Sequence, residues 1–460
     1  MKSAATQSAR RNSLRRWSAT LREGVAAELW PLPTISIAIA VILGIVIPLV
    51  DRAVDSSLPT TLERILFAGG PESARAVLSA IAGSLITATS LTFSLTVVAL
   101  QLASSQASPR VLRTFLKDQT VHWTLSVFVG TFAYALTVLR TVQDGDDSID
   151  PIVPRLAVTL ASLLTLASVI MLTLFLAHLA RQLRIETTMR QVYVETSKTI
   201  ELVSSTMATG DVELPDWPPA ERLELSLATR SGFIRSIDRS RLLTIAIKHD
   251  IVIREEHTVG HHVVEKTPLA RWWPRDPMRH VDDDERDEIN LAIAGAVGLA
   301  YERTASQDIG FGIRQLVDIT ARALSPGVND PTTAVHTLGH ISATLCAIAE
   351  MPVQSKGLTD DDEIVRVIIK PHDFVSLLDI AMTQPRRYGA SDPGVVERLF
   401  QLLQEVGYRA RRTEQSAAVS EQIDRLEASV AAETYDVVER ERLAGFAEAA
   451  RTATLDHRWL

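Results

Sequence analysis

Four long apolar stretches fill most of the first 180 residues of the chain. They run over Pro33–Val50, Ala76–Pro109, His122–Leu139 and Leu156–Leu179, and none of them contains Asp, Glu, Lys or Arg. A helix needs about 20 apolar residues to cross a hydrocarbon core about 30 Å thick. The pattern therefore predicts a membrane domain of four transmembrane helices over residues 33–180.

After Arg181 the pattern changes to charged, amphipathic stretches. A linker helix and a Pro-rich break are predicted over residues 181–221. Short β-type runs such as GFIRSI and DIVIREE predict a small β-rich module over residues 222–274. Helical patterns predict a helical domain over residues 275–390 and further helices over residues 391–460. The predicted fold class is thus a four-helix membrane domain followed by an α+β domain that is mostly helical.

The charges between the apolar stretches predict the orientation. Acidic residues dominate the loop around Asp144–Asp150, whereas basic residues dominate an N-terminal arm (residues 1–32), the second loop and the exit from the fourth stretch. The basic positions are Lys2, Arg10, Arg11, Arg15, Arg16 and Arg22, then Arg110, Arg113 and Lys117, then Arg181, Arg184 and Arg190. Basic loops stay on the cytoplasmic side, so both termini and the second half are expected to be cytoplasmic. A cleaved signal peptide is the alternative for the first stretch, but no clean small-x-small site follows Val50.

Composition narrows the possible partners. The formal net charge is -8, set mainly by the second half, so a nucleic-acid partner is not expected. Cys346 is the only cysteine, which excludes an intrachain disulfide. The expected surroundings are the lipid bilayer and other copies of the same chain, with a small ligand or ion left unidentified.

A polar stripe runs along the second apolar stretch. Three- and four-residue steps place one set of small and polar residues on one helical face: Gly83, Thr87, Ser90, Ser94, Val97 and Gln101. Such a stripe can line a wet pathway, or it can let helices pack closely and bond to each other, and the sequence leaves both open. The absence of ionisable residues from all four spans argues against a proton-driven transporter. The second span is also long, about 48 Å over residues 76–107, and Pro109 is expected to end it.

The densest polar cluster in the second half covers residues 301–340. Ser306 is a plausible helix N-cap, and Asp330-Pro331 has the pattern of a cap followed by a first helical residue. Several side chains are expected to converge at a helix–loop–helix corner: Glu302, Arg303, Asp308, Arg314, Asp318, Asn329 and Asp330. They serve either as caps and ion pairs that hold the corner or as a ligand or interface site.

His336 and His340 stand four residues apart, the spacing at which two imidazoles on one helix chelate a metal. His372 or Asp373 could supply a third ligand. No glutamate lies between the pair as in the HExxH motif, so the sequence disfavours a metal site. Nucleotide-binding loops, nucleophile elbows and CxxC pairs are absent from the sequence. No enzyme activity and no cofactor are therefore predicted.

Two segments resemble a bacterial family of predicted membrane proteins known as domain of unknown function 2254. They are SLTFSLTVVALQLASSQASPRVLRTFLKD (residues 90–118) and RTASQDIGFGIRQLVDITARALSPGVNDPTTA (residues 303–334). VGHHVVEKTPLA is similar to the short β module of the family, although His261-His262 replace the expected Gly-Asp-type turn. The His336/His340 pair is not part of the family pattern. The resemblance implies four spans, a cytoplasmic domain and a bacterial plasma membrane, but no activity.

Three functions are compatible with these features. The favoured one is an oligomeric channel- or transporter-like protein whose cytoplasmic domain controls the second span. The alternative is a membrane-anchored regulatory or scaffold protein without transport. A metal-dependent membrane enzyme using His336 and His340 is the least favoured of the three.

Overall fold

The computed structural model describes residues 30–54, 66–106, 118–143, 153–182, 184–206, 212–305, 307–352, 355–370 and 372–459. Contacts within the chain divide it into two compact units, residues 1–187 and residues 188–460. Each unit is described by itself.

The described part of the first unit consists mainly of four long helices: α1 Pro31–Val54, α2 Pro71–Gln106, α3 Gln119–Leu139 and α4 Arg155–Gln182. All four are long and apolar enough to cross a membrane, which confirms the prediction of four apolar helices. The 36 residues of α2 extend about 54 Å, well beyond a hydrocarbon core. The expected end of this helix at Pro109 lies outside the described residues.

Helix α3 is the centre of the first unit. Of its most apolar window 61% is buried, against 22% or less in the other three helices. Phe128 and Tyr134 pack against apolar side chains of α2 and α4, and the Tyr134 hydroxyl donates to the carbonyl of Ala157 at 3.1 Å. A Cβ at Gly44 of α1 would approach Thr137 to 2.7 Å, so this glycine lets α1 lie close to α3. Small residues at such crossings are typical of helix packing in membranes.

The second unit combines helices with two small sheets. The linker helix α5 covers Ile185–Thr206, of which the residues from Thr188 belong to this unit. In order, its further elements are β1 Glu224–Leu227, β2 Gly232–Ile237, α6 Arg239–Lys248, β3 Ile251–Glu255, β4 His262–Val263, β5 Pro268–Pro274, α7 Asp283–Ala294, β6 Val297–Ala300, α8 Ile309–Ala323, α9 Pro331–Ala349, β7 Gly357–Thr359, β8 Val365–Ile368, α10 Phe374–Gly389, α11 Pro393–Arg409, α12 Thr413–Ala431 and α13 Val437–Leu455.

The two sheets have the strand orders β1-β5-β3-β8-β7 and β4-β2-β6. Strands β3 and β8 pair in parallel, and the other pairs are antiparallel. Trp272 of β5 is fully buried between the larger sheet and α7, where its indole N–H donates to Asn290 at 2.9 Å. A buried indole N–H needs such a partner because burying it unpaired is costly.

The sheets draw on residues outside the expected β-rich module. Strands β6, β7 and β8 lie within residues 275–390, where a helical domain was expected. All four residues of β8 are buried, including Arg366, whose charge is met by Asp250 and Asp360. A four-residue run carries too little periodicity to identify a strand, and its partner β3 lies more than 100 residues earlier.

One helical core joins segments that the sequence separates. Residues of α5 and of α8 through α13 share it, so residues 275–390 and 391–460 do not form separate cores. Leu338 of α9, Leu378 of α10 and Leu403 of α11 are fully buried there. Val192 and Ile200 place the linker helix α5 in the same core. This helix is therefore an integral part of the second unit.

Candidate functional site

The polar stripe of α2 lies on the outside of the four-helix unit. Thr87, Ser90, Ser94 and Gln101 are all exposed. At about 100° per residue they fall within about 40° of one line along the helix. The buried positions, Leu85, Thr92, Thr96 and Ala99, lie about 180° away. The stripe therefore faces away from the other helices of the first unit.

Two hydroxyls of the stripe bond to their own helix. Thr87 donates to the carbonyl of Gly83 at 3.1 Å, and Ser90 donates to the carbonyl of Ile86 at 3.0 Å. A Cβ at Gly83 would meet nothing within 4 Å, so the surface beside the stripe is open. The hydroxyl oxygens still have lone pairs for water or for a second helix.

At the start of α8, the buried residue Asp308 forms an ion pair with Arg303. Arg303 donates to its two carboxylate oxygens at 2.8 and 2.9 Å, and the backbone N–H of Phe311 donates to it at 3.0 Å. Asp308 is 2% exposed, and burial raises its pKa although the charge of Arg303 opposes the rise. Asp308 therefore caps α8, a role that the sequence analysis gave to Ser306, which lies outside the described residues.

The loop between β3 and β4 covers this pair. Gly260 has φ +89°, and a Cβ there would overlap the carboxylate of Asp308 and approach the Arg303 guanidinium to 2.8 Å. Only glycine adopts this backbone conformation at no steric cost. Gly260 was not among the residues predicted from the sequence. Its signal was a lone glycine between two β-type runs, beside the His261-His262 turn.

Asn329 and Asp330 lie at the other end of α8. Asp330 caps α9 by accepting from the backbone N–H and hydroxyl of Thr333 at 3.0 and 2.6 Å, which lowers its pKa. Because α8 has 15 residues, about 22 Å separates this cap from Asp308. The expected convergence at one corner is therefore wrong. The cluster forms two capping sites at opposite ends of one helix.

Arg314 and Asp318 lie half-buried along α8 between these ends, and Glu302 is exposed before it. Ile309, Ile313 and Leu316 of the same helix are fully buried and form its inward face. The role of the polar residues as a ligand or interface site stays a prediction.

His336 and His340 lie on α9. His340 packs against the ring of Tyr193 from α5, with 5.3 Å between centroids, while His336 is exposed. Asp373, one of the suggested third ligands, instead caps α10 by accepting from the backbone N–H groups of Val375 and Ser376. Within the described ranges no group of three His, Cys, Asp or Glu side chains is arranged to hold a metal ion.

Close contacts fix the linker helix α5 to α8. A Cβ at Gly312 of α8 would overlap the side chain of Thr196 on α5. The Thr199 hydroxyl donates to the carbonyl of Ala305 at 2.7 Å. Helix α5 begins three positions after Gln182, the last residue of α4. A short covalent link thus joins an apolar helix to a helix buried in the second unit.

The sequence model of the family described as "Predicted membrane protein", domain of unknown function 2254, matches residues 26–405. Uncharacterized proteins of Mycobacterium bovis and Mycobacterium tuberculosis are each 34% identical over 403 residues, which is 86% of this chain and 74% of each relative. No solved structure matches. The chain belongs to this family of predicted membrane proteins.

Proposed function

We propose that the protein is an oligomeric channel- or transporter-like membrane protein in which the polar stripe of α2 lines a pathway between copies. The observation that carries the proposal is the position of the stripe, exposed and opposite the buried face of α2. In a bilayer that face meets lipid tails, another copy or water. Three hydroxyls and an amide are better matched to a second helix or to water than to lipid tails.

The second unit would control this pathway through the α4–α5 link. Helix α5 is held in the core of the second unit by Val192, Ile200 and the Thr196–Gly312 contact. A ligand that binds one of two states of the second unit more tightly would shift the population toward that state. The basic loops support a plasma-membrane orientation with this unit in the cytoplasm.

Ion flux in proteoliposomes tests the proposal. Potassium and chloride flux would be measured for the full-length protein and for the Ser94→Leu and Gln101→Leu variants. The matched control is Thr173→Leu on α4, where an exposed hydroxyl outside the stripe donates to the carbonyl of Val169 at 3.1 Å. We expect both stripe variants to lose flux and the control to keep it.

A scaffold function without transport is the second candidate, and it rests on the same exposed face of α2. Gly83 and the neighbouring Ser84 are small and exposed, which suits close packing of copies without a pathway. Folded, inserted protein that assembles but passes neither ion would replace the channel proposal with a scaffold. Flux that survives both stripe substitutions would remove the stripe from the pathway.

A further inference from the structure

Two arginines lie side by side on the larger sheet of the second unit. Arg254 of β3 and Arg271 of β5 are direct cross-strand partners, so their side chains leave the same face of the sheet. The side chains are 42% and 37% exposed. Like charges placed directly opposite on neighbouring strands destabilise a sheet. A negatively charged group between the two arginines would therefore stabilise this pair of strands.

An aromatic ring lies beside the two guanidinium groups. The guanidinium carbon of Arg254 is 4.4 Å from the centroid of the Trp217 ring, and that of Arg271 is 6.0 Å from it. Trp217 also packs edge-on against Trp273, with 5.5 Å between centroids, and remains 46% exposed. The indole therefore forms one wall of the patch and still faces solvent.

One carboxylate, that of Glu256, lies near both arginines, but its Oε1 forms a hydrogen bond with neither of them. Oε1 of Glu256 lies 4.0 Å from Nε of Arg254 and 3.4 Å from Nε of Arg271. Within the part of the chain that the structure describes, neither Glu256 Oε1 nor Arg271 Nε makes a hydrogen bond, although both atoms are buried. Lys370 adds a third positive charge, with Nζ donating to the carbonyl of Glu256 at 2.8 Å.

Other arginines of this unit are satisfied in a different way. Arg239 donates to both oxygens of Glu255 at 2.8 and 3.0 Å, and Arg303 does the same with Asp308. Such two-pronged pairs are the preferred geometry of a guanidinium with a carboxylate or a phosphate. The Arg254–Arg271 patch lacks one within the described chain, where the acid beside the indole, Asp216, also pairs with neither arginine.

We propose that this patch binds a phosphate group, which bridges Arg254 and Arg271 beside Trp217. Three cations against two carboxylates, Glu256 and Asp216, leave the site positive, and phosphate oxygens fit the paired guanidinium groups. The phosphate belongs either to a soluble phosphate ester or to a lipid headgroup. This site is separate from the α2 stripe and does not depend on the proposed channel function.

Tryptophan fluorescence of the full-length protein in dodecyl maltoside micelles, which contain no phosphate, tests the site. Inorganic phosphate and adenosine monophosphate would be titrated separately. We expect a saturable change that Trp217→Phe abolishes and that Arg254→Gln and Arg271→Gln weaken at least tenfold. The matched control is Arg275→Gln, a half-exposed arginine that follows β5 and lies 3.9 Å from Asp250. It should leave the affinity unchanged.

Glu256→Gln is a second variant, and the expected change in its affinity for phosphate has the opposite sign. It removes the competing carboxylate, so phosphate should bind several-fold more tightly, a gain that a purely structural role for Glu256 would not produce. The same micelles mixed with phosphatidylglycerol identify the source. A change that appears with this lipid and depends on Arg271 assigns the site to a headgroup, and a change seen only with soluble phosphates assigns it to a phosphate ester. No response to any of the three probes, or an equal loss in Arg275→Gln, would overturn the proposal.

Discussion

Gly312 of α8 and Thr196 of α5 approach so closely that no side-chain carbon fits between them, because a Cβ at position 312 would overlap the Thr196 side chain. Both residues lie in the buried part of the second unit. The glycine thus lets the linker helix, which follows the last apolar helix, pack directly on the most buried helix of this unit.

Gly312→Ala should lower the stability of the second unit. The added methyl group forces a shift of packed helices, which typically costs about 1–3 kcal/mol. Thermal unfolding of the purified full-length protein measures the effect. The matched control is Gly445→Ala on α13, where a Cβ meets nothing within 4 Å. Alanine there should leave the stability unchanged or raise it by up to about 1 kcal/mol. Equal midpoints for the two variants would contradict the close contact.

Asp308→Asn should lower the free energy of unfolding much more than Asp330→Asn, although both residues cap helices. Asparagine keeps the capping acceptor, so Asp330→Asn should cost little. At position 308 the substitution removes the two-pronged ion pair with Arg303 from a buried site, a loss on the order of 3 kcal/mol. Urea unfolding of both variants provides the comparison. Similar losses would mean that the Arg303 pair contributes nothing beyond the cap.

The stability of the second unit should fall in mild acid partly because of His372. Burial lowers the pKa of His372 to about 4, whereas an unfolded histidine titrates near 6.5. Between these values the unfolded chain binds the proton and the folded chain does not, so stability falls as pH drops from about 6.5 to about 4. Above 6.5 the residue adds no pH dependence.

His372→Gln should therefore flatten this part of the profile of unfolding free energy against pH. Burial also lowers the pKa values of His261 and His340, which leaves a residual slope of the same sign. The exposed His280 provides the control, and His280→Gln should keep the original slope. A His372→Gln profile that overlays that of the unmodified protein would exclude His372 as the titrating group.

Cysteine cross-linking tests whether α2 meets a second copy. In a Cys346→Ser background, Ser90→Cys should form disulfide-linked dimers on mild oxidation, since position 90 is exposed on the stripe. Ala99→Cys should not, because position 99 is 4% exposed and lies on the face opposite the stripe. Cross-linking at 99 but not at 90 would reverse the assignment of the two faces of α2.

The sequence by itself determined those elements that depend only on residues close together in the chain. The four apolar helices follow from the length of charge-free runs. The helix start at Asp330-Pro331 was predicted from the sequence as a cap followed by a first helical residue, and it occurs there. A cap depends on a side chain and backbone N–H groups two or three residues away, so the sequence contains both partners side by side.

Tertiary structure decided what depends on distant partners. Strand β8 pairs locally with β7, but only its pairing with β3, from more than 100 residues earlier, joins it to the rest of the larger sheet. The 15-residue length of α8 separates two caps that lie close together in the sequence. The face of α2 that is buried was decided by its packing against α3 and α4. Helical spacing predicts which residues share a face, but only contacts between distant segments determine what that face meets.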